Sequence, residues 1–509
     1  MRKLMNSSSI CVLAGLSLAL ACSDDGGSGN DDETSGSGIP TATASDSDSN
    51  NSDSDSNNSD SMSSDSMSSD SDSTDSNSGD GDGDDPATSG GGPKFDVLGS
   101  PDSGGDDGCG GGLGDATLQG TVFAPNGTIP VVGALVYTTS VEPEGIPDGV
   151  YCAECVELGC EAQTATTDVN GYFSLGTFSG AKYLVVQKGQ FMSVQQINIE
   201  AGVTVLPDEQ VELPGEWNPD EGLYIPRIAV ADGTFDRIED ALGKFGMGDT
   251  AIANFEEQTI PGTENFELWN NGRDPATDGY VSQGTMTQLV SDIDNLNRYH
   301  VLFIPCSGDT YSDPLNQQSI DNIRTWVEAG GRYYVADWSN EWMIKVFPEY
   351  QNFYGGNSSD LGSYDSLADI LDDGLLEWLE ALPDPLKDIN PLNDEPHPTL
   401  FQLPQVETVD NWSGIQYPLP EVLVDDGMGG EIDVGHKVWL EGPGDNFDIG
   451  GATVPLTVTG QYGCGKIQFT SYHTAEFFDY VGLSPQELVL LYTILEIGVC
   501  QDPLPPPAG

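Results

Sequence analysis

Two short apolar runs and the helical pattern between them decide the fold of this chain. The first run lies in Tyr299-His-Val-Leu-Phe-Ile-Pro305-Cys306-Ser307-Gly308 and the second in Gly330-Gly-Arg-Tyr-Tyr-Val-Ala-Asp337-Trp338-Ser339. Between them, Leu315–Ala329 has the apolar spacing of an amphipathic helix, and the two glycines that follow stop this helix just before the next strand. A strand, a helix and a strand in this order predict a parallel β-sheet.

The same alternation continues through residues 223–500. Further strands are predicted at Pro226–Val230, Pro455–Thr459 and Lys466–Thr470, and further helices near Phe235–Lys244 and Thr285–Leu296. The motif Ser484-Pro485-Gln-Glu487 is a capping box with proline at the first helical position, and it predicts a last helix through Ile497. We therefore predict an α/β domain with a mostly parallel sheet over residues 223–500.

Three segments of this region carry a resemblance to a known family. They are the two stretches quoted above and Gly465-Lys-Ile-Gln-Phe-Thr-Ser-Tyr-His473-Thr-Ala-Glu476. Together they resemble the class I glutamine-amidotransferase-like, flavodoxin-like fold, including its trehalose-utilisation-type branch. The resemblance implies an oxyanion loop after the first strand, an elbow with a nucleophilic cysteine after the second, and the catalytic pair His473 and Glu476 after the third.

The elbow of this chain departs from that plan. It reads Ala336-Asp337-Trp338-Ser339-Asn340, with no thiol and with Trp338 about where the nucleophile would stand, whereas Cys306 falls in the oxyanion loop. The sequence therefore leaves open whether the protein is an enzyme, and the missing cysteine favours a protein without catalysis. If chemistry is retained, nucleophile, base and orienting group must come from a small set of candidates. These candidates are His473, Glu476, Ser339 and Cys306.

A ligand pocket is the alternative at the same edge of the sheet. Open α/β sheets place their crevice at the carboxyl ends of the strands, and Asp337, Trp338 and His473 are predicted to line it. The four histidines of the chain do not form a metal-binding motif. The sequence therefore predicts neither a metal site nor a cofactor.

Residues 116–215 have a different pattern, with short strands separated by turn residues such as Asn170-Gly171. The segments Gly120-Thr-Val, Thr167-Asp168-Val-Asn170-Gly171-Tyr-Phe173 and Gly180-Ala-Lys-Tyr183-Leu-Val-Val resemble the carboxypeptidase regulatory-like domain. This resemblance implies an all-β, transthyretin-like sandwich related to carbohydrate-binding folds. Domains of this kind usually serve as spacers or interaction modules.

Seven of the nine cysteines lie beyond the first 22 residues: Cys109, Cys152, Cys155, Cys160, Cys306, Cys464 and Cys500. In an exported protein, disulfides are expected more often than zinc, which is the alternative for the first four. We expect two disulfides among these first four cysteines. Two of the last three cysteines are candidates for a further bridge, and the sequence leaves the connectivity open.

The amino terminus predicts the location of the protein. Arg2 and Lys3 precede the apolar stretch Ile10–Ala21, which is too short to span a bilayer and ends in Leu18-Ala-Leu-Ala-Cys22. This segment resembles a bacterial lipoprotein signal. The resemblance implies a signal peptide over residues 1–22, cleavage before Cys22 and acylation of Cys22. The predicted location is therefore the cell envelope, where Ser23 indicates the outer membrane.

The segments around the two predicted domains have the composition of linkers. Residues 23–115 are rich in Asp, Ser and Gly and predict a disordered tether, and residues 501–509 form a Pro-rich tail. The predicted fold class is thus multidomain: a disordered tether, an all-β sandwich, and an α/β flavodoxin-like domain.

Charge and location together restrict the partners. The chain has 16 Lys and Arg against 83 Asp and Glu, a net charge of −67, which repels phosphate backbones and excludes nucleic acid. The predicted partners are the lipid bilayer, through the acyl anchor, and a glycan or an envelope protein. The sequence thus favours a cell-surface lipoprotein that acts as a non-enzymatic binding or scaffold module. An extracellular hydrolase with a degenerate amidotransferase-like site is the alternative.

Overall fold

The computed structural model describes residues 114–155, 158–159, 162–253, 256–308, 312–355, 361–387, 389–391, 400–475, 480–500 and 504–507. All of them belong to one compact unit, Pro86–Gly509. Within them, no helix is long and apolar enough to cross a membrane. The predictions for residues 1–113, which include Cys22 and Cys109, lie outside these ranges, as do those for Cys160 and Glu476.

The first part of the described chain forms a small β-sandwich. Its strands are β1 (Ala116–Thr121), β2 (Leu135–Thr139), β3 (Gln163–Thr166), β4 (Tyr172–Thr177), β5 (Gly180–Lys188), β6 (Phe191–Ile199), β7 (Gly202–Val205) and β8 (Leu223–Tyr224). One sheet has the order β4-β1-β7 and the other β3-β2-β5-β6-β8. All pairs are antiparallel except β1 with β7.

The turn between β3 and β4 shows how the sequence specifies these hairpins. Gly171 has a φ of 74°, which favours glycine. The Asp168 carboxylate accepts the N–H groups of Asn170 at 2.9 Å and Tyr172 at 3.0 Å. The predicted turn at Asn170-Gly171 is thus confirmed, and the Asp168 side chain serves the backbone of this turn.

The second part combines strands and helices. Its strands are β9 (Ile228–Asp232), β10 (Thr250–Ala253), β11 (Glu256–Thr259), β12 (Glu267–Asn270), β13 (Ser282–Thr285), β14 (Val301–Ile304), β15 (Arg332–Ala336), β16 (Tyr364–Ile370), β17 (Asn390–Pro391), β18 (Phe401–Gln402), β19 (Gln405–Asn411), β20 (Leu423–Asp425), β21 (Glu431–Asp433), β22 (Lys437–Pro443), β23 (Thr453–Tyr462), β24 (Gly465–Thr470) and β25 (Tyr480–Val481). Its helices are α1 (Ile238–Leu242), α2 (Met286–Val290), α3 (Ile293–Leu296), α4 (Gln317–Glu328), α5 (Asn340–Val346), α6 (Asp373–Ala381) and α7 (Pro485–Ile497).

Eleven of these strands form one mixed sheet, in the order β13-β12-β9-β14-β15-β24-β23-β22-β16-β19-β18. From β13 to β24 each neighbour is parallel. From β24 to β18 each neighbour is antiparallel. The prediction of a mostly parallel sheet is therefore wrong for the whole sheet, because β16, β18, β19 and β22 add an antiparallel half that the local sequence pattern did not reveal.

Two helix ends follow the predicted signals. At the start of α7, Ser484 and Glu487 form the predicted capping box, with Pro485 at the first helical position. At the end of α4, Gly330 has a φ of 121°, as required where this helix turns directly into β15. Between its ends, α4 buries Ile323 and Trp326 against the sheet. Local signals and burial thus agree around β14, α4 and β15.

The disulfides connect the loop between β2 and β3, which we refer to as the sandwich loop, to the α/β part. Cys152 pairs with Cys464, and Cys155 pairs with Cys500. The expectation that Cys152 and Cys155 pair within the group of the first four cysteines is therefore wrong. Their partners lie more than 300 residues later in the sequence, at separations of 312 and 345, and local spacing carries no information about such pairs. A bridge between two of the last three cysteines is not formed either, because Cys464 and Cys500 are both bonded to the sandwich loop and Cys306 is a free thiol.

Buried polar contacts also cross between the two parts. Trp378 Nε1 donates to the Pro130 carbonyl at 2.9 Å. His300 Nδ1 accepts the Arg227 N–H at 2.7 Å, and its Nε2 lies 3.0 Å from the Pro147 carbonyl oxygen. Burial lowers the pKa of His300 to about 3, so its ring is neutral and can accept at one nitrogen and donate at the other. This histidine therefore has a structural role.

Candidate functional site

The carboxyl ends of four neighbouring parallel strands bring distant residues together. β9, β14, β15 and β24 lie next to one another in the sheet. The loops after these strands carry Asp236, Cys306, Asp337 and His473, respectively. Because parallel strands end at one edge, residues up to 237 positions apart in sequence meet there. We refer to Cys306, Asp337 and His473 as the buried triplet.

The buried triplet is compact. His473 Nε2 lies 2.9 Å from Cys306 Sγ and 3.2 Å from Asp337 Oδ2. Cys306 and Asp337 are fully buried, and His473 is 8% exposed. Asp337 Oδ1 accepts the Trp412 N–H at 2.9 Å, while its Oδ2, although close to His473, has no hydrogen-bond partner. The cysteine and the carboxylate thus approach the same nitrogen of the imidazole.

Burial controls the charge of these groups. It raises the pKa of the Cys306 thiol well above its usual value, and the nearby Asp337 carboxylate raises it further. Burial also raises the pKa of Asp337, an effect that the Trp412 N–H bond partly offsets. An activated nucleophilic cysteine has a lowered pKa instead. Cys306 therefore lacks the electrostatic surroundings of a thiolate nucleophile.

The turn after β15, which the sequence predicts as an elbow, has a strained backbone. Asp337 has a φ of 49°, in the left-handed region that non-glycine residues rarely adopt. The sequence had suggested Trp338 for the nucleophile position, but the strained residue is Asp337. Ser339, a predicted nucleophile, is buried and donates its hydroxyl to the Pro305 carbonyl at 2.7 Å. Its hydroxyl therefore joins the elbow to the loop after β14.

Three aromatic rings lie beside the triplet. The ring of Trp338 is 5.7 Å from that of Phe235 and 5.1 Å from that of Trp412, measured between centroids. Phe235 is 36% exposed, and both tryptophans are partly exposed. The Phe235 N–H donates to the Cys306 carbonyl at 3.3 Å, which fixes this ring next to the buried triplet. We refer to Phe235, Trp338 and Trp412 as the aromatic surface.

Two acidic residues near the triplet were missed by the sequence analysis. Asp236 is buried and accepts the N–H groups of Thr474 at 2.9 Å and Ala475 at 3.0 Å, so it holds the loop that carries His473. Asp410, at the end of β19, has a φ of 53° and its carbonyl accepts the His473 N–H at 3.4 Å. The only sequence signal for Asp236 was its place shortly after a buried strand. Asp410 comes from the antiparallel half, which was not predicted.

A separate cavity of about 460 Å³ lies between the sandwich and the α/β part. Its lining includes Asn126, Thr128, Lys244, Thr250 and Leu386. None of the buried triplet or the aromatic surface lines it. The buried lysine of this lining, Lys244, already pairs with the Glu487 carboxylate. Lys244 therefore offers no unpaired charge to a ligand in this cavity.

Comparison with known proteins gives distant likenesses only. The chain matches no family model and no curated protein sequence. Among solved structures, it is similar to a ThuA-like protein of Bacteroides uniformis, with 12% identity and a TM-score of 0.26, over 44% of this chain and 79% of that one. It is also similar to a cytoplasmic protein of Salmonella typhimurium, with 12% identity and a TM-score of 0.26, over 55% of this chain and all of that one.

The buried carboxylates predict that the folded protein is more stable at acidic pH. Burial raises the pKa of Asp236 to about 7, and it also raises the pKa values of Asp232 and Asp240. Between the ordinary carboxyl pKa of about 4 and these raised values, the folded state binds more protons than the unfolded state. Stability is therefore highest at the acidic end and falls as the pH rises, by about 1.4 kcal/mol per pH unit for each such proton.

Thermal unfolding followed by circular dichroism between pH 5 and pH 8, at constant ionic strength and with a chelator present, checks this expectation. The Tm should fall as the pH rises, and Asp236→Asn should flatten the slope. A Tm that stays level or rises over this interval would contradict the prediction.

Proposed function

We propose that this chain is a lipid-anchored protein of the cell envelope whose α/β part has a flavodoxin-like, amidotransferase-like fold and binds a carbohydrate without turning it over. The observation that carries the proposal is the aromatic surface at the carboxyl edge of the parallel strands. Aromatic rings stack on the apolar faces of sugar rings, and Tyr or Trp side chains provide large contact areas at a small entropic cost. Phe235, Trp338 and Trp412 offer such an area in the position where this class of sheet binds ligands.

The surroundings of Cys306 favour binding over catalysis. The thiol is fully buried, and its raised pKa keeps it protonated at neutral pH. The hydroxyl of Ser339 is also buried and bound to a carbonyl. The two candidate nucleophiles therefore lack access to a substrate that lies on the aromatic surface.

The remaining parts of the proposal come from the sequence. We propose acylation of Cys22, a location in the outer membrane, and a carboxypeptidase regulatory-like sandwich that positions the α/β part. The partners are then the bilayer through the acyl anchor and a glycan, or an envelope protein that presents one. Labelling with a radioactive fatty acid in cells that carry the chain or its Cys22→Ala variant tests the anchor. Loss of label in the variant supports it, and an unlabelled wild-type chain refutes it.

A glycan array probed with the full chain tests the binding proposal. Phe235→Ala and Trp412→Ala should each weaken binding of the selected glycan about tenfold, in line with the loss of one stacked ring of about 1–3 kcal/mol. Phe178→Ala is the matched control, because Phe178 is also 36% exposed but lies in the sandwich. Equal binding by all variants, or no binding by the wild-type chain, would contradict the proposal.

A second candidate function is an extracellular hydrolase. It is favoured by the distance of 2.9 Å between Cys306 Sγ and His473 Nε2, which is within the reach of proton transfer. Glycan and ester substrates incubated with the full chain test this alternative. Turnover that disappears in His473→Ala would support the hydrolase, and binding without turnover would support the binding protein.

A further inference from the structure

We propose that Cys306, Asp337 and His473 form a zinc site. The three residues follow three adjacent parallel strands, β14, β15 and β24, and so are held on rigid elements of the sheet. One ligand atom from each lies within 4.8 Å of the others, and all three residues are buried. Thiolate, imidazole and carboxylate are the protein ligands that zinc takes, and three of them leave a fourth position open.

The distances require only a small adjustment. Ligand atoms of a tetrahedral zinc ion lie about 3.3–3.6 Å apart, from bond lengths of about 2.0–2.3 Å. His473 Nε2 and Asp337 Oδ2 are already 3.2 Å apart. His473 Nε2 and Cys306 Sγ, at 2.9 Å, would separate by about half an ångström. The third pair of ligand atoms, Cys306 Sγ and a carboxylate oxygen of Asp337, lies within 4.8 Å.

The arrangement is that of converging ligands and differs from a catalytic triad. In a triad the nucleophile and the carboxylate contact different nitrogens of the histidine. Here Cys306 Sγ and Asp337 Oδ2 both approach Nε2 of His473. The three atoms thus form one compact group within 4.8 Å, as the ligands of a single ion do.

One oxygen of the Asp337 carboxylate also faces the other two ligand atoms. Among the residues that the structure describes, Asp337 Oδ2 is buried without a hydrogen-bond partner, although Oδ1 of the same carboxylate is satisfied by the Trp412 N–H. A buried oxygen left without a partner costs free energy, and a bound cation removes this cost. This observation is independent of the spacing of the three ligands.

The charge balance around the triplet favours a cation. The carboxylates of Asp236 and Asp410 lie near Asp337 and raise its pKa. The ion pairs of the described residues give none of these three aspartates a lysine or arginine partner. A divalent ion bound here would stabilise the charged form of the Asp337 carboxylate, which burial alone disfavours. The cysteine selects among ions, since Mg²⁺ and Ca²⁺ prefer oxygen ligands, whereas zinc binds sulfur well.

Binding converts the Cys306 thiol to a thiolate. The S–H bond breaks, its proton passes to solvent, and the sulfur lone pair forms the bond to zinc, so that no electron is gained or lost. The site does not depend on ligand binding by the aromatic surface. Each proposal can therefore fail without the other.

Metal analysis of the full chain tests the site. After dialysis against a chelator and then a zinc buffer, the wild-type chain should retain one more equivalent of zinc than Cys306→Ala or His473→Ala. Competition with a chromophoric chelator should show zinc affinity reduced about tenfold or more in each variant. His436→Gln is the matched control, because His436 packs against Tyr350, away from the triplet, and should bind zinc like the wild type.

Cobalt substitution keeps the test valid if a variant fails to fold. Cobalt bound to the wild-type chain should give an intense thiolate-to-metal absorption band in the near ultraviolet, with protons released as the ligands lose them. A wild-type chain without this band, or zinc binding that is unchanged in folded Cys306→Ala, would overturn the proposal.

Discussion

Replacing Lys244 with methionine is expected to lower the free energy of unfolding by about 3–5 kcal/mol. Lys244 Nζ donates to Glu487 Oε1 at 2.9 Å, and the two side chains are 5% and 0% exposed. Burial raises the pKa of Glu487, and the charge of Lys244 counteracts this effect. Without the lysine, a buried carboxylate at the start of α7 has no cation to compensate it. Chemical denaturation at neutral pH measures the loss.

Arg298→Met is the matched control for this experiment. Arg298 also forms an ion pair at 2.9 Å, with Glu267, but its side chain is 45% exposed. Exposed pairs contribute about 0–1 kcal/mol, so this variant should lose at most that amount. The deficit of Lys244→Met should also shrink as the pH falls, because Glu487 then becomes protonated and needs no partner. Equal losses in both variants, or a deficit that does not change with pH, would show that the buried charge is not the cause.

The elements around β14, α4 and β15 could be predicted because their signals are local. The predicted strand Arg332–Ala336 is confirmed with both ends, and the helix predicted over Leu315–Ala329 is observed over Gln317–Glu328. In each case a glycine within a few residues marks one end of the apolar run or of the helical pattern. Such signals do not depend on what the rest of the chain does.

The antiparallel half of the sheet depends on distant pairing. β16 alternates buried and exposed residues, but its partners β19 and β22 are about 40 and 70 positions away in sequence. Such alternation predicts a strand, but it predicts neither the neighbouring strands nor the direction in which they run. This is why the sheet was predicted as mostly parallel, and why Asp410, which β19 brings to the site, was missed.

The site could be predicted in its membership but not in its geometry. The carboxyl ends of parallel strands share an edge, so placing Cys306, Asp337 and His473 after three such strands already puts them in one region. Only the three-dimensional structure shows that the cysteine and the carboxylate approach the same imidazole nitrogen. That detail distinguishes converging ligands from a triad, and residue spacing cannot express it.

Gly330→Ala is expected to lower the free energy of unfolding by about 3 kcal/mol or more. Gly330 has a φ of 121°, which L-residues rarely adopt, and a Cβ atom there would lie 1.9 Å from the Tyr151 carbonyl oxygen. This oxygen belongs to the backbone of the sandwich loop. It cannot move away easily, because the next residue, Cys152, is bonded to Cys464. The substitution therefore strains the αβ connection and the contact between the sandwich loop and the α/β part together.

Gly176→Ala separates this effect from the general cost of replacing glycine. Gly176 lies in β4, and a Cβ atom there would meet nothing within 4 Å. Because alanine loses less conformational entropy than glycine on folding, this variant should be neutral or more stable by up to about 1 kcal/mol. Thermal and chemical unfolding of both variants gives the comparison. A Gly330→Ala variant as stable as the wild type would mean that the sandwich loop does not lie against the end of α4.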